Sequence, residues 1–285
     1  MTAQISLPDA SGMRRRPYNE ATSNRELLAL ARTTFSNWIL PAALRRATSW
    51  ISADWLLNIE LSLRTRQGPQ LKARVRDIGG PLDVFGLGAY DFRMIDWSRA
   101  EYVVDAGAHI GSFTLFAAAR GAGRIVAIEP NPETYALLVA NVRLAGLADR
   151  VTTVNRAVAD APGSRTLHSA KLSSASTILP SDGHQGRAIS VEATTLQEIV
   201  TATNWPRIDV MKIDIEGSEY DVFSALEPET LARVGVVLVE CHHLPGSDPH
   251  LIATRLREAG FDVAAEVAPN HTMLVASAKG KISEP

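Results

Sequence analysis

The chain has a single cysteine, Cys241, in 285 residues, so no disulfide can form within it. Such cysteine usage fits a reducing compartment. No apolar run approaches the ~20 residues that a membrane-spanning helix needs. Arg14-Arg15-Arg16 is followed by no apolar core of the signal-peptide kind. A soluble, cytoplasmic protein without a membrane partner is therefore expected. Excess charge is also lacking: 29 Lys and Arg against 31 Asp and Glu leave a net −2. That balance gives no general attraction to polyanions, and no nucleic-acid partner is expected. Internal repeats and low-complexity tracts are absent from the sequence. What is present is ordinary for a globular chain, 46% hydrophobic and 21% charged. The length suits one large domain with an appendage.

Residues 1–22 are polar and irregular and are expected to form a disordered tail. Residues 23–70 read as a helical arm or lid. Leu27, Leu28, Leu30, Ala31, Phe35, Trp38 and Ile39 recur at three- and four-residue spacing, as do Leu44, Trp50, Ile51, Trp55, Leu56, Ile59 and Leu63 after Pro41. Residues 1–80 hold 12 Lys and Arg against 6 Asp and Glu. This basic segment either meets an acidic substrate or partner or is a solvated helix face. A homodimer through the N-terminal helices is one expectation; packing on the main domain is the other. Residues 71–100 read as an extended hairpin or connector. Ala73, Val75 and Ile78 alternate with charges there, and Gly79-Gly80-Pro81 marks a turn.

From residue 101 to 280, strands and helices alternate, which predicts a mostly parallel α/β sheet with helices on both faces. Strands are expected at 102–105, 124–129, 151–155, 208–214, 235–241, 261–267 and 271–276. Helices are expected near 110–120, 132–145, 195–203, 218–226 and 249–259. The last two strands are joined only by a short link around Pro269-Asn270, too short for a parallel crossover, so they must run antiparallel. A seven-stranded sheet closed by such a hairpin resembles the class I methyltransferase (Rossmann-like) fold. Residues 157–192 interrupt the alternation and are expected to add a hairpin and loop near the active face.

Within the first strand–loop–helix, Asp105-Ala106-Gly107-Ala108-His109-Ile110-Gly111, the leading glycine of a G-x-G-x-x-G dinucleotide fingerprint is missing. An acid stands in its place. A carboxylate there repels a pyrophosphate but suits an ammonium or sulfonium group. S-adenosyl-L-methionine (AdoMet) carries both of these groups and no phosphate. Gly107 and Gly111 let backbone approach the methionine end of such a ligand. Ile110 begins the following helix. His109 either points into the cofactor pocket or caps the turn. Eighteen residues after Gly111, a second apolar run ends in Glu129, placed to bond ribose hydroxyls. Pro130-Asn131 then turns the chain into the next helix. The third strand tip is Asn155-Arg156-Ala157. Asn155 there either bonds an adenine edge or is a surface turn residue.

Polar groups also gather where the later strands end. Lys212, Asp214, Glu216 and Glu219 follow one strand, and Glu240-Cys241-His242-His243 ends the next. The carboxyl edge of an open α/β sheet is where ligands bind. Lys212 is expected to pair with and hold a carboxylate. Glu219 suits a helix start, while Asp214 and Glu216 face the pocket. His242 is nominated as general base because a histidine titrates near neutral pH. The bland alternative has it orienting loops through hydrogen bonds. Asp214, Glu240 and His242 also have the donor composition of a metal site, but not the spacing of a known metal motif, and no metal is expected.

Taken together, these segments resemble the FkbM-type methyltransferases. Asp105 to Gly111 is similar to that family's D-x-G-A-N-x-G loop, and Glu129-Pro130-Asn131-Pro132 to its E-P-N-P segment, with Asn141 following in the helix. Lys212-Ile213-Asp214-Ile215-Glu216-Gly217-Ser218-Glu219 matches K-I-D-x-E-G-x-E, and Glu240-Cys241-His242 matches E-x-H. Two residues depart from the pattern: His109 replaces an asparagine, and Thr195-Leu196-Gln197-Glu198 replaces T-L-D-E. The resemblance covers about residues 100–245. It implies AdoMet-dependent methylation, most often of a hydroxyl on a sugar, polyketide or other secondary metabolite. Formation of a methyl ester from a carboxylate is the alternative. A nicotinamide-dependent oxidoreductase is a further one, and a non-catalytic binding module a third. The first 100 residues lie outside the resemblance, and substrate choice is expected to reside there.

Overall fold

The computed structural model describes residues 57–65, 68–168, 176–179 and 187–279. The expected tail, most of the helical arm and any dimer built through it lie outside these residues. The first described element corrects the helical expectation. Strand β1 (Glu60–Arg64) pairs antiparallel with β2 (Gln70–Arg74), with Leu63 opposite Leu71. Leu61 and Leu63 turn inward while Glu60, Ser62 and Arg64 stay exposed, a period of two. The four-residue spacing of Trp55, Ile59 and Leu63 imitates a helix, but cross-strand pairing decides the outcome. The extended reading of 71–100 is corrected in turn. After β2, helical turns occupy Val75–Asp77, Gly79–Pro81 and Leu82–Leu87.

The main domain then follows the expected alternation. Strand β3 (Tyr102–Ala106) leads to helix α1 (Ser112–Ala119), β4 (Arg124–Ile128), α2 (Pro132–Leu144) and β5 (Val151–Val154). Strands β6 (Ala157–Val158), β7 (Gly163–His168) and β8 (Ala188–Thr194) form a small separate sheet in the order β6-β8-β7. This is the interruption seen in the sequence. Helix α3 (Leu196–Thr203), β9 (Ile208–Ile213), α4 (Glu219–Ala225), α5 (Pro228–Ala232), β10 (Val234–His242) and α6 (Pro249–Glu258) come next. Strands β11 (Phe261–Val267) and β12 (His271–Ala278) close the domain. The order across the large sheet is β11-β12-β10-β9-β3-β4-β5. Strands β5, β4, β3, β9 and β10 run parallel, and β12 is antiparallel to both β10 and β11. This is the class I methyltransferase sheet.

Both faces of the sheet are buried, so its strands are apolar throughout rather than alternating. Val104, Ala106, Val126, Ile128, Met211 and Val237 pack on one side with Leu256 of α6. Val103, Ile125, Ala127, Val210 and Leu238 pack on the other with Phe113 and Phe116 of α1. Helix starts follow local rules. The Asn131 side chain accepts from Glu133 N and Thr134 N, with Pro132 at the first helical position. Thr195 and Glu198 cap each other's backbone at α3 in a capping box.

Strand order reverses between β3 and β9, which opens a crevice at their carboxyl ends. The β1–β2 hairpin is fastened beside this crevice by one side chain. Asn141, fully buried on α2, accepts from Lys72 N (2.6 Å) and donates to Lys72 O (2.9 Å) and Ile110 O (2.8 Å).

Candidate active site

Gly107 sits where the loop after β3 crosses the end of β9. Its φ is +77°, and a Cβ there would lie 1.7 Å from the Asp214 carbonyl oxygen. Only glycine fits. Glu129, at the tip of β4, is 7% exposed. One carboxylate oxygen accepts from His109 N (3.0 Å) and the other from Asn131 N (2.9 Å). Burial raises its pKa to about 7 despite these bonds. Each oxygen keeps a second lone pair for a further donor.

His109 has φ +53°, and its Nε2 lies 3.7 Å from Asp77 Oδ1. The ring is turned toward the helical turns after β2, and burial lowers its pKa to about 4, so it is neutral. Asp77 is itself gripped by Arg74 Nε (2.8 Å) and Nη2 (3.1 Å). Asn155 turns its amide nitrogen back onto the strand tips. Its amide donates to the Glu129 carbonyl (2.8 Å) and the Pro130 carbonyl (3.0 Å), tying two strand tips together.

Asp105 corrects the sequence reading in one respect: its carboxylate does not face the crevice. It is fully buried and accepts from Thr114 Oγ1 of α1 at 2.5 Å. Lys212, its cross-strand neighbour, lies 3.4 Å away. Lys212 is 3% exposed and also donates to the Gly107 carbonyl (2.7 Å) and meets Asp214 Oδ2 (3.2 Å). Burial favours the neutral amine, but Asp214 and Asp105 outweigh it and hold the ammonium above its ordinary pKa. One lysine therefore holds the glycine loop, the β3 acid and the β9 acid in fixed relation.

Period two puts Lys212, Asp214, Glu240 and His242 on the sheet face that carries Asp105. His242 Nδ1 lies 3.0 Å from Glu219 Oε1, and the same oxygen accepts from Ile215 N (3.0 Å). His242 Nε2 lies 3.4 Å from Glu216, 3.9 Å from Glu240 and 4.0 Å from Asp214. Burial lowers its pKa, but the Glu219 bond and the carboxylate charges outweigh this and raise it to about 10. The imidazole is therefore held on both ring nitrogens by neighbouring carboxyl groups. Burial raises Glu216 to about 9 and Glu240 to about 8. Burial also presses Asp214 upward, but Lys212 and His242 outweigh it, so Asp214 stays below its ordinary value. Glu216 adopts φ +57° beside Gly217 at φ +104°, a paired left-handed turn that swings the chain from β9 into α4.

These groups border one cavity of about 440 Å³. Of the expected site residues, Gly107, His109, Glu129, Pro130, Arg156, Ala157, Lys212, Asp214 and Glu216 line it. Asp105, Ile110, Gly111, Asn131, Asn155 and His242 are not among its lining residues. The sequence reading missed Tyr90, whose hydroxyl lies 3.2 Å from Glu240 and 3.4 Å from Asp214. It also missed His271 on β12, paired in register with His242 and 3.4 Å from Glu240. No motif marks either; only the antiparallel register would have located His271. Val158, Leu167 and Ile178 give the crevice an apolar wall beside Arg156 and Ala157, all three from the inserted segment 157–192.

A sequence model of the methyltransferase FkbM domain matches residues 105–263. The 31-O-demethyl-FK506 methyltransferase FkbM of Streptomyces tacrolimicus is 30% identical over 220 residues, covering 66% of this chain and 82% of that protein. The methyltransferase sdnD of Sordaria araneosa is 27% identical over 207 residues, covering 61% and 80%. The hexuronic acid methyltransferase AglP of Haloferax volcanii is 26% identical over 187 residues, covering 65% and 72%. With the class I sheet, the glycine loop and the acid-tipped strands in place, these matches make the chain an enzyme of the FkbM methyltransferase family.

Proposed function

We propose that the chain uses AdoMet to methylate a hydroxyl of a small molecule. The observation that carries this reading is Glu129 at the tip of β4 beside Gly107 in the loop after β3. The described cavity lining has two cations, Arg156 and Lys212, and Lys212 is already held by Asp105 and Asp214, which leaves little to hold a pyrophosphate and argues against a nicotinamide cofactor. The residues fit AdoMet in three places. Glu129 retains lone pairs for ribose hydroxyls, Gly107 leaves room beside the Asp214 carbonyl, and Ala157, Val158 and Ile178 offer an apolar slot for a base. When bound, AdoMet supplies the methyl group from its sulfonium.

The protein's own residues then position and deprotonate the acceptor. Alignment of the acceptor oxygen supplies much of the rate. Tyr90, Glu216 and Glu240 lie along the wall at this end and are placed to hold a hydroxyl. The acceptor's proton passes to Asp214, which Lys212 keeps ionised, and on to solvent. The Glu216 and Glu240 carboxyl groups and the Tyr90 hydroxyl can hydrogen-bond an acceptor hydroxyl, which favours that acceptor over ester formation. Related proteins named for FK506 and for hexuronic acid support a metabolite or sugar acceptor. Calorimetric titration with S-adenosylhomocysteine tests the cofactor assignment. Binding that disappears in Glu129→Ala is expected. Tight NADH binding with no response to S-adenosylhomocysteine would overturn it.

A further inference from the structure

We infer that Asp214, Glu240 and His242 form a divalent-cation site at the acceptor end of the cavity. The inference rests on the methyl-transfer reading of that cavity and adds to it. Each of the three residues offers one donor atom, and these atoms all lie within 4.8 Å of one another. Donors around a single metal ion, each ~2.0–2.6 Å from it, stand roughly 3–4 Å apart. Small side-chain adjustments therefore complete the geometry.

Four further observations point the same way. Asp214 directly follows β9, and Glu240 and His242 end the adjacent parallel strand β10, at the edge where ligands enter. Lys212 takes Asp214 Oδ2, while Oδ1, shut from solvent, accepts no hydrogen bond from any described residue. Oδ1 lies 4.0 Å from His242 Nε2, on the cluster side of the carboxylate. Glu219, itself fully buried, holds His242 Nδ1 from behind and sets Nε2 toward the two acids. A carboxylate behind a histidine is the usual support for a metal-ligating imidazole. The groups facing this cluster are Lys212, Glu216, Glu219, Tyr90 and His271.

Two carboxylate oxygens and one imidazole nitrogen suit a mixed-donor ion such as Mn2+ or Zn2+. Such an ion would polarise an approaching hydroxyl and lower its pKa, so that its proton leaves to water before the oxygen is methylated.

The test is titration of the chelator-treated full chain with Mn2+, followed by calorimetry and by the paramagnetic resonance of free Mn2+. S-adenosylhomocysteine binding is measured on the same samples. One Mn2+ per chain is expected, weakened at least about tenfold in Glu240→Gln and in His242→Gln. In the unmutated chain, substoichiometric Mn2+ should broaden the ring proton signals of His242 and His271 ahead of His168 and His250. Absence of uptake at about 1 mM free Mn2+ would overturn the site, as would uptake that leaves those two rings sharp. Loss of the cation with S-adenosylhomocysteine still bound strikes this inference alone. Failure of S-adenosylhomocysteine to bind strikes the methyl-transfer reading itself.

Discussion

The carboxamide of Asn141 pairs with both backbone groups of Lys72, as a neighbouring strand would, and donates its remaining hydrogen to the Ile110 carbonyl. One side chain thus joins the β1–β2 hairpin, helix α2 and the glycine loop. Asn141→Leu keeps the bulk but leaves three backbone groups unsatisfied. It should lower stability by about 2–4 kcal/mol, read as a shift in the urea midpoint. Unchanged stability would show that the hairpin is not held this way.

Lys212 stands between two acids in a site closed to water. Removing it strands Asp105 and Asp214, so Lys212→Met should cost about 3–5 kcal/mol. Adding Asp105→Asn to Lys212→Met should recover part of that loss, because the buried charge goes with it. A double-mutant cycle in chemical denaturation measures the coupling, and simple additivity would contradict the pairing.

Gly107 and Gly146 both have positive φ, at +77° and +68°. A methyl at Gly107 would collide with the Asp214 carbonyl, whereas one at Gly146 meets nothing within 4 Å. Gly146→Ala should cost only about 1 kcal/mol, from the left-handed backbone. Gly107→Ala should cost several-fold more and abolish S-adenosylhomocysteine binding. Thermal melts of the two variants provide the comparison.

His109 occupies a left-handed position, φ +53°, that asparagine tolerates better than most residues. Its ring also lies against Asp77. His109→Asn should therefore fold with stability within about 1 kcal/mol of the parent and retain cofactor binding. Loss of binding in this variant would mean that the imidazole touches the cofactor directly.

Glu129 gives a pH dependence of defined sign. Burial raises its pKa from 4.5 to about 7 in the folded protein. The folded state thus favours the protonated form. Stability from this group is full below the unfolded value and is lost as pH rises through about 7. Cofactor affinity runs oppositely, because ribose hydroxyls donate best to an ionised carboxylate. Affinity should climb with pH through about 7 and then level off, with proton release on binding. Calorimetry in buffers of different ionisation enthalpy reads the protons. Glu129→Gln should flatten the profile.

The large sheet was readable because its strands are apolar on both faces and separated by helical periods. The expected 261–267 coincides with β11, and the other expected strands of the sheet end within two residues of those observed. Glu129, Asp214 and Glu216 were legible because a strand tip followed by acids has few structural uses. Direction was not legible. A strand-end position told nothing of Asn155 turning back onto two carbonyls or Asp105 turning inward to Lys212. Tyr90 and His271 reach the site through tertiary packing and antiparallel register, which carry no local signature. Strand β1 was misread because leucines two residues apart also satisfy a helical stripe when tryptophan and isoleucine precede them.

Gly79 to Tyr90 form one side of the cavity, yet they precede residue 105, where the family match begins. That wall is therefore written in a stretch of the gene separate from the one that encodes the matched domain. Substitutions among Leu82, Asp83, Val84 and Leu87 can remould it while every sheet strand keeps its partners, a replaceable faceplate on a constant body.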